Sequence, residues 1–228
     1  MSRWTDGLLS LLKWPVAIVA IISLPALGWS LVDLLTGMRS LKPLVPMLIG
    51  AVACVVVWYG GLRRPALARW ATLEHELTHA LFAWLTLHRT VGFFGTWRSG
   101  GHVRYLGKGN WLIAIAPFVV PTFALVVAIV LAALPRSAIP YAGFVLGAVL
   151  AYHAVSTWSR THRHQGDLRE VGTLFSILFV PAATLLVYGL TIAFVAGGGK
   201  AMHQYLHQAF GRAVGVAHVV WTWIKGMT

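Results

Sequence analysis

Residues 66–87 read ALARWATLEHELTHALFAWLTL, an apolar stretch long enough to cross a lipid bilayer that nevertheless contains Glu74, His75, Glu76 and His79. A membrane helix needs about 20 predominantly apolar residues. Each ionisable group within it costs roughly 2.5–3.5 kcal/mol on insertion scales, so such groups are rare there and usually functional. The crowding of these four groups within two helical turns therefore predicts a site with a chemical role.

The run from His75 to His79 has the pattern HExxH. Side chains four residues apart lie on one face of a helix, about 6 Å apart along its axis, so both imidazoles can bind one zinc ion. Such an ion lowers the pKa of a bound water to about 7, and a neighbouring carboxylate, here Glu76, takes the proton as general base. A polar helix face packed inside a bundle is the alternative, and motif and location together favour the metal site.

The composition indicates an integral, multi-pass membrane protein. The chain has 228 residues, of which 58% are hydrophobic and 11% charged, with a mean hydropathy of +0.75. Soluble domains carry roughly 25% charged residues. We expect an all-α protein of a prokaryotic cell membrane with about six transmembrane helices, at residues 14–36, 43–62, 66–87, 111–134, 138–158 and 171–196.

The predicted organisation has three parts. Residues 1–13 form an interfacial segment, residues 14–196 the membrane domain, and residues 197–228 an amphipathic tail. The net charge of +12 is spread over the connections between apolar stretches, which is typical of membrane loops and not of a nucleic-acid-binding protein. Lysine and arginine divide equally between the two sides, so the charge pattern predicts no orientation.

A zinc site needs a third protein ligand and an open position for water and substrate. The polar stretch from Arg160 to Glu170 precedes the sixth apolar segment, and Asp167 is the preferred ligand because Gly166 before it allows the backbone to bend close to a metal. Glu170, His164 and His162 are the reserve ligands. The histidines of the motif lie near the middle of their span, so we predict a re-entrant or cavity-lining loop at residues 162–170.

Two further patterns concern architecture. Residues 91–106 alternate in polarity around a glycine-rich turn and predict a β-hairpin, whose edge could pair with an unwound substrate strand. Pro117 and Pro121 are expected to bend the fourth helix, and Gly143 with Gly147 forms a GxxxG pattern that allows close helix packing.

With these motifs, residues 67–180 resemble the site-2 protease family, zinc metalloproteases that cut proteins within the membrane. The resemblance rests on the HExxH pattern, the glycine-rich connection after it, an Asp about ninety residues later, and Ala114-Ile115-Ala116-Pro117, which is similar to the family's Ala-Gly-Pro signature. It implies an intramembrane endopeptidase that acts on a membrane-associated protein. It also implies one Zn²⁺ per chain bound by His75, His79 and Asp167, with Glu76 as the catalytic base.

The chain departs from the family around its Asp, which lies in Gln165-Gly166-Asp167-Leu168 where the family often has Asn-Pro-Asp-Gly or Leu-Asp-Gly. The only asparagine in the chain is Asn110. Substrate or oxyanion contacts that a family asparagine makes would therefore fall to Gln165 or Asn110.

Two other functions are compatible with two histidines four residues apart. A histidine-cluster membrane oxidase or desaturase should show several histidine clusters, and here only His162 and His164 add to the first. A metal transporter or another membrane metal-binding protein without protease activity would not need Glu76 as a base.

Overall fold

The computed structural model describes residues 2–60, 65–96, 100–133, 139–161 and 165–227. Within them the chain is mostly helical with one small sheet, as the sequence predicts. The elements in chain order are α1 (Ser2–Thr36), α2 (Val45–Tyr59), α3 (Pro65–Leu85), β1 (Thr90–Thr96), β2 (Gly100–Tyr105), α4 (Trp111–Ile115), α5 (Thr122–Ala132), α6 (Ile139–Thr161), α7 (Gln165–Val171) and α8 (Thr173–Gly226).

Four helical segments of the described residues are long and apolar enough to cross a membrane: Ser2–Thr36, Lys42–Tyr59, Tyr141–Ser159 and Thr173–Gly226. Large apolar side chains on their outer faces are exposed, which is compatible with a membrane protein. Helix α3 is not among the four, because it carries Arg69, Glu74 and Glu76. The expected count of six therefore depends on α3 and on a bent helix pair.

That bent pair replaces the continuous fourth helix expected at residues 111–134. Helix α4 passes into a 3-10 turn, Ala116–Phe118, and α5 then begins at Thr122 with its axis turned by 74°. Pro117 lies in the turn and Pro121 directly before α5. The predicted proline bend is thus a break, because proline cannot donate the backbone hydrogen bonds of a continuous helix.

Helix α2 packs along α6 at backbone contact distance. A Cβ atom at Gly147 would lie 1.9 Å from the Met47 carbonyl oxygen, and one at Gly50 would lie 2.0 Å from that of Phe144. Only glycine fits at such a contact. The close helix packing predicted from Gly143 and Gly147 is confirmed, with Gly147 at the point of closest approach.

Helix α8 packs along α1 and contains a sharp break. Gly197 and Gly198 leave the helical conformation, and Gly198 has a positive φ of 64°. After the break the chain folds back, so that the buried Tyr205 donates a hydrogen bond to the Leu185 carbonyl oxygen and packs on Gly189. The segment predicted as a C-terminal tail thus begins at the break and lies partly within the bundle.

Helix α1 runs unbroken from Ser2 to Thr36. Residues 2–13, expected as a separate interfacial segment, are its first turns. They contact the ends of other elements near the predicted metal site.

The hairpin predicted at residues 91–106 is present. Strands β1 and β2 pair antiparallel, with Phe93 opposite Val103 and Gly95 opposite Gly101. Strand β2 packs against α3. The hairpin therefore lies beside the helix that carries the HExxH motif.

The prediction of a non-helical loop at residues 162–170 is wrong for residues 165–170, which form the first turns of α7. Residues 162–164 lie outside the described residues. Gly166 is inside this helix and needs no unusual backbone angle, so its conformational freedom is not what brings Asp167 towards α3. Instead, α7 packs against α4 and α8, and this packing positions its first turn.

Candidate metal centre

Helix α3 presents His75 and His79 on one face, as their spacing predicts. The two imidazole rings meet edge to face, with centroids 4.7 Å apart. Their side chains are only 10% and 15% exposed, since the 3-10 turn and α4 cover this face of α3. The Phe118 ring of that turn lies 5.6 Å from the ring of His75.

Asp167, in the first turn of α7, completes a group of three possible ligands. Its Oδ2 atom lies 3.3 Å from His75 Nε2 and 3.8 Å from His79 Nε2. The ligand atoms of the three side chains all lie within 4.8 Å of one another. Tetrahedral zinc with bonds of about 2.1 Å holds its ligand atoms about 3.4 Å apart. The two separations from Asp167 are close to this value, so the three side chains could hold a metal ion of this kind.

The orientation of His79 also suits a metal ligand. His79 Nδ1 donates a hydrogen bond to the Ile113 carbonyl oxygen at 2.8 Å. This bond leaves the lone pair of Nε2 directed towards Asp167, as in many histidine ligands whose other nitrogen bonds a carbonyl. A nitrogen lone pair and a carboxylate oxygen face each other favourably only across a cation or a proton. The donor set thus supports a cation between them.

The ionisation of Asp167 is consistent with this role. Burial raises the pKa of the Asp167 carboxyl, but the neighbouring His75 and His79 side chains outweigh burial and hold that pKa below its usual range. The side chain is 34% exposed. It is therefore an ionised candidate ligand on the more open side of the group, where water and substrate could approach.

Glu76 is buried at 8% exposure and lies near enough to His79 for an electrostatic interaction between the two side chains. Glu74 faces differently: its Oε1 atom accepts a hydrogen bond of 3.0 Å from the Phe123 backbone nitrogen in the first turn of α5. A carboxylate at a helix N-terminus is stabilising. The two glutamates that flank His75 thus have different surroundings. Glu74 holds α5 against α3, whereas Glu76 lies beside His79.

Thr78, in a variable position of the motif, adds to that contact. Its hydroxyl group donates to the Glu74 carbonyl oxygen and lies 2.5 Å from the Thr122 hydroxyl at the start of α5. Thr78 and Thr122 are both buried. Helix α5 is therefore bound to the motif helix through side chains on the same two turns that carry the histidines.

The remaining predicted residues lie elsewhere. Glu170 is exposed on α7 and is not part of the three-ligand group. Asn110 caps α4: its Oδ1 accepts from the Ile113 backbone nitrogen, and its Nδ2 donates to Asp6. His162, His164 and the side chain of Gln165 lie outside the described part of the structure, so their predicted roles stay predictions.

Sequence reasoning missed three contributors to this site: the Ile113 carbonyl group, Glu74 as a cap and Thr78 as a link to α5. Glu74 and Thr78 carried a signal, since polar side chains in an apolar helix need partners. A backbone carbonyl group such as that of Ile113 has no signature in the sequence.

No protein family model, no curated protein and no solved structure matches this chain.

Proposed function

We propose that this protein is a zinc-dependent intramembrane endopeptidase that hydrolyses a peptide bond of a membrane-associated protein. The observation that carries the proposal is the convergence of His75, His79 and Asp167 from two separate helices, with a buried Glu76 on the same helix as the histidines. The membrane-compatible helices around them support a substrate that lies in or at the bilayer.

When bound, a zinc ion would supply a Lewis acid that polarises a carbonyl group and makes water a stronger acid. His75, His79 and Asp167 would hold the cation, and the Ile113 carbonyl group accepts the hydrogen bond that fixes the ring of His79. Glu76 accepts the proton of the attacking water and passes it to the nitrogen of the leaving amine. The peptide bond is thereby cleaved by addition of one water molecule.

Access for an extended peptide is supported by the hairpin beside α3. A two-stranded sheet has unpaired backbone groups on its outer edges, and an extended peptide gains hydrogen bonds by adding to such an edge. We propose that the substrate unwinds locally and adds to the hairpin, because a helix engages its own carbonyl groups. Proline substitutions along β2, for example at Val103, should then slow cleavage without reducing the zinc content.

The proposed membrane arrangement has six crossings, with α3 and the bent pair of α4 and α5 added to the four long apolar segments. The acidic groups of α3 are tolerated in this arrangement because their partners lie inside the protein. Glu74 accepts from the Phe123 nitrogen, and Glu76 lies near His79.

The test compares two glutamate variants of the full chain, reconstituted in lipid with zinc. Glu76→Gln removes the proposed base, and Glu74→Gln is its matched control, since the amide oxygen of Gln can still accept from the Phe123 nitrogen. Both are assayed against a panel of single-span membrane proteins tagged at both ends, and metal content is measured by mass spectrometry.

We expect Glu76→Gln to keep about one zinc per chain and to lose roughly 10²- to 10⁴-fold in cleavage rate, the usual contribution of a general base. Glu74→Gln should keep both zinc and cleavage. Cleavage by Glu76→Gln at the rate of the unchanged protein would contradict the catalytic assignment. Zinc binding without cleavage of any panel member would favour the metal-binding or transport alternative.

A further inference from the structure

The first turns of α1 contact each segment that contributes to the metal centre, although they lie outside the part of the chain that resembles the protease family. Thr5 donates a hydrogen bond to the Thr86 carbonyl oxygen, just after α3. Trp111 of α4 donates its indole N–H to the Leu9 carbonyl oxygen, and Lys13 donates to the carbonyl oxygen of Val171 at the end of α7. One helix thus joins the segments that hold His75, His79 and Asp167.

Asp6 is at the centre of these contacts. One of its carboxylate oxygens accepts from the Asn110 side-chain amide at 2.9 Å, and the other lies 3.2 Å from Nε2 of the buried His88. The Asp6 side chain is only 20% exposed. Hydrogen bonds to an ionised carboxylate are strong where water is largely excluded. Asp6 therefore fixes the end of the α3 segment and the start of α4 at the same time.

From Asn110 the contacts continue to a metal ligand in two short steps. Asn110 Oδ1 accepts from the Ile113 nitrogen at 3.2 Å, which fixes the first turn of the five-residue helix α4. The carbonyl oxygen of the same Ile113 accepts the hydrogen bond from His79 Nδ1. A helix this short has little stability of its own, so its position depends on its cap and its neighbours.

We propose that Asp6 and Asn110 are positioning residues of the metal centre, which hold the Ile113 carbonyl group where it fixes the ring of His79. This inference rests on the proposed function only in requiring that His79 binds the metal. Asp6 of the first helix thereby acts on the metal site through Asn110 and Ile113 and not by contact with the ion.

The test measures zinc affinity of the full chain in lipid nanodiscs by competition with a chromophoric chelator. Asp6→Ala removes both contacts of the carboxylate. Asp6→Asn is the conservative variant, because its amide oxygen can still accept from Asn110. Thr5→Val is the matched control, since it removes a hydrogen bond between α1 and the α3 segment one residue away without affecting the contact to α4.

Groups that orient a metal ligand typically change metal affinity by 10- to 100-fold. We expect Asp6→Ala to weaken zinc binding about tenfold, at the lower end of that range, because it acts through two intervening groups. Asp6→Asn should keep most of the zinc affinity that Asp6→Ala loses. Thr5→Val should bind zinc as tightly as the unchanged protein, even if it unfolds at a lower temperature.

The visible spectrum of the cobalt-loaded protein reports ligand geometry separately from stability. We expect it to change in Asp6→Ala and to remain unchanged in Thr5→Val. Equal zinc affinity and an unchanged spectrum in folded Asp6→Ala would overturn the inference, as would an equal loss of affinity in Asp6→Ala and Thr5→Val. His79→Ala tests the premise separately: if this variant binds zinc normally, the proposed metal site itself is wrong.

Discussion

The contact between α2 and α6 is built in the opposite way to the proposed metal centre. Helices α2 and α6 meet through glycines, with Gly147 against the backbone of Met47 and no room for a side chain. The proposed metal centre is held by directed hydrogen bonds to short elements, such as the bond from His79 to the Ile113 carbonyl oxygen. At Gly147 the first contact depends on the close approach of two backbones, whereas the second depends on the direction of individual polar groups.

This difference predicts that substitutions in one region leave the other largely intact. Variants at the metal centre should change zinc binding at nearly constant stability, and variants at the glycine contact should change stability at constant zinc content. Three substitutions test this separation, beginning with the largest expected effect.

Asp167→Ala should have the largest effect. Structural zinc sites with four ligands bind with roughly 10–16 kcal/mol, so loss of one ligand is expected to cost about 3–4 kcal/mol, or on the order of 100- to 1000-fold in zinc affinity. The thermal unfolding temperature of the metal-free protein should change little. Both quantities are measured on purified protein by chelator competition and by thermal unfolding.

Glu170→Ala, one helical turn further along α7, is the control for this substitution. It removes an exposed carboxylate that is not part of the three-ligand group. If Glu170→Ala lost zinc and Asp167→Ala retained it, the third ligand would be Glu170. The approach of Asp167 to the two histidines would then not reflect metal binding.

Gly147→Ala should have the next largest effect, on stability. The added methyl group would lie 1.9 Å from the Met47 carbonyl oxygen, so the two helices must separate. We expect a loss of about 3 kcal/mol, at the upper end of the usual range for overpacking, seen as a lower unfolding temperature. Zinc content per folded chain should remain unchanged.

Gly143→Ala, one turn earlier on the same helix, is the matched control. Its methyl group would lie 3.5 Å from the nearest atom, which is an ordinary contact distance. Equal destabilisation by both alanines would show that helix propensity, and not close approach, determines the effect. A loss of zinc from folded Gly147→Ala would show that the two regions are coupled.

Gly166→Ala should have the smallest effect. Gly166 lies in the first turn of α7, and a methyl group there meets no atom within 4 Å in the described structure. Alanine reduces the freedom of the unfolded chain, so we expect a stabilisation of about 0.5 kcal/mol and unchanged zinc affinity. A clear loss of zinc would restore the original interpretation, in which a flexible backbone at Gly166 brings Asp167 to the metal.

The sequence predicted those parts of the fold that depend on periodicity and on single residues with strong backbone preferences. The hairpin, the face shared by His75 and His79, and the close approach at Gly147 all follow from local patterns. The spacing of two residues on one helix determines their geometry without knowledge of the rest of the fold.

The other features depend on contacts between distant residues. The bond between Asp6 and Asn110 joins residues 104 positions apart, and neither residue belongs to a motif that predicts the other. The sequence indicates Asp167 only by its chemical type and by the neighbouring Gly166, but the structure brings it to the histidines through the packing of α7 against α4 and α8. The expected ligand group is therefore assembled by a route that the sequence pattern did not indicate.

The break at Gly197 and Gly198 also bears on the order in which the molecule can assemble. Asp33 of α1 is paired with Arg212, which lies 179 residues later in the chain and beyond that break. During synthesis, α1 is made long before this arginine, so Asp33 lacks this partner until residue 212 has been added. The bundle therefore cannot reach its final packing until the returning arm of α8 has been translated, and a ribosome that stops before the glycines leaves an acidic group without its permanent partner.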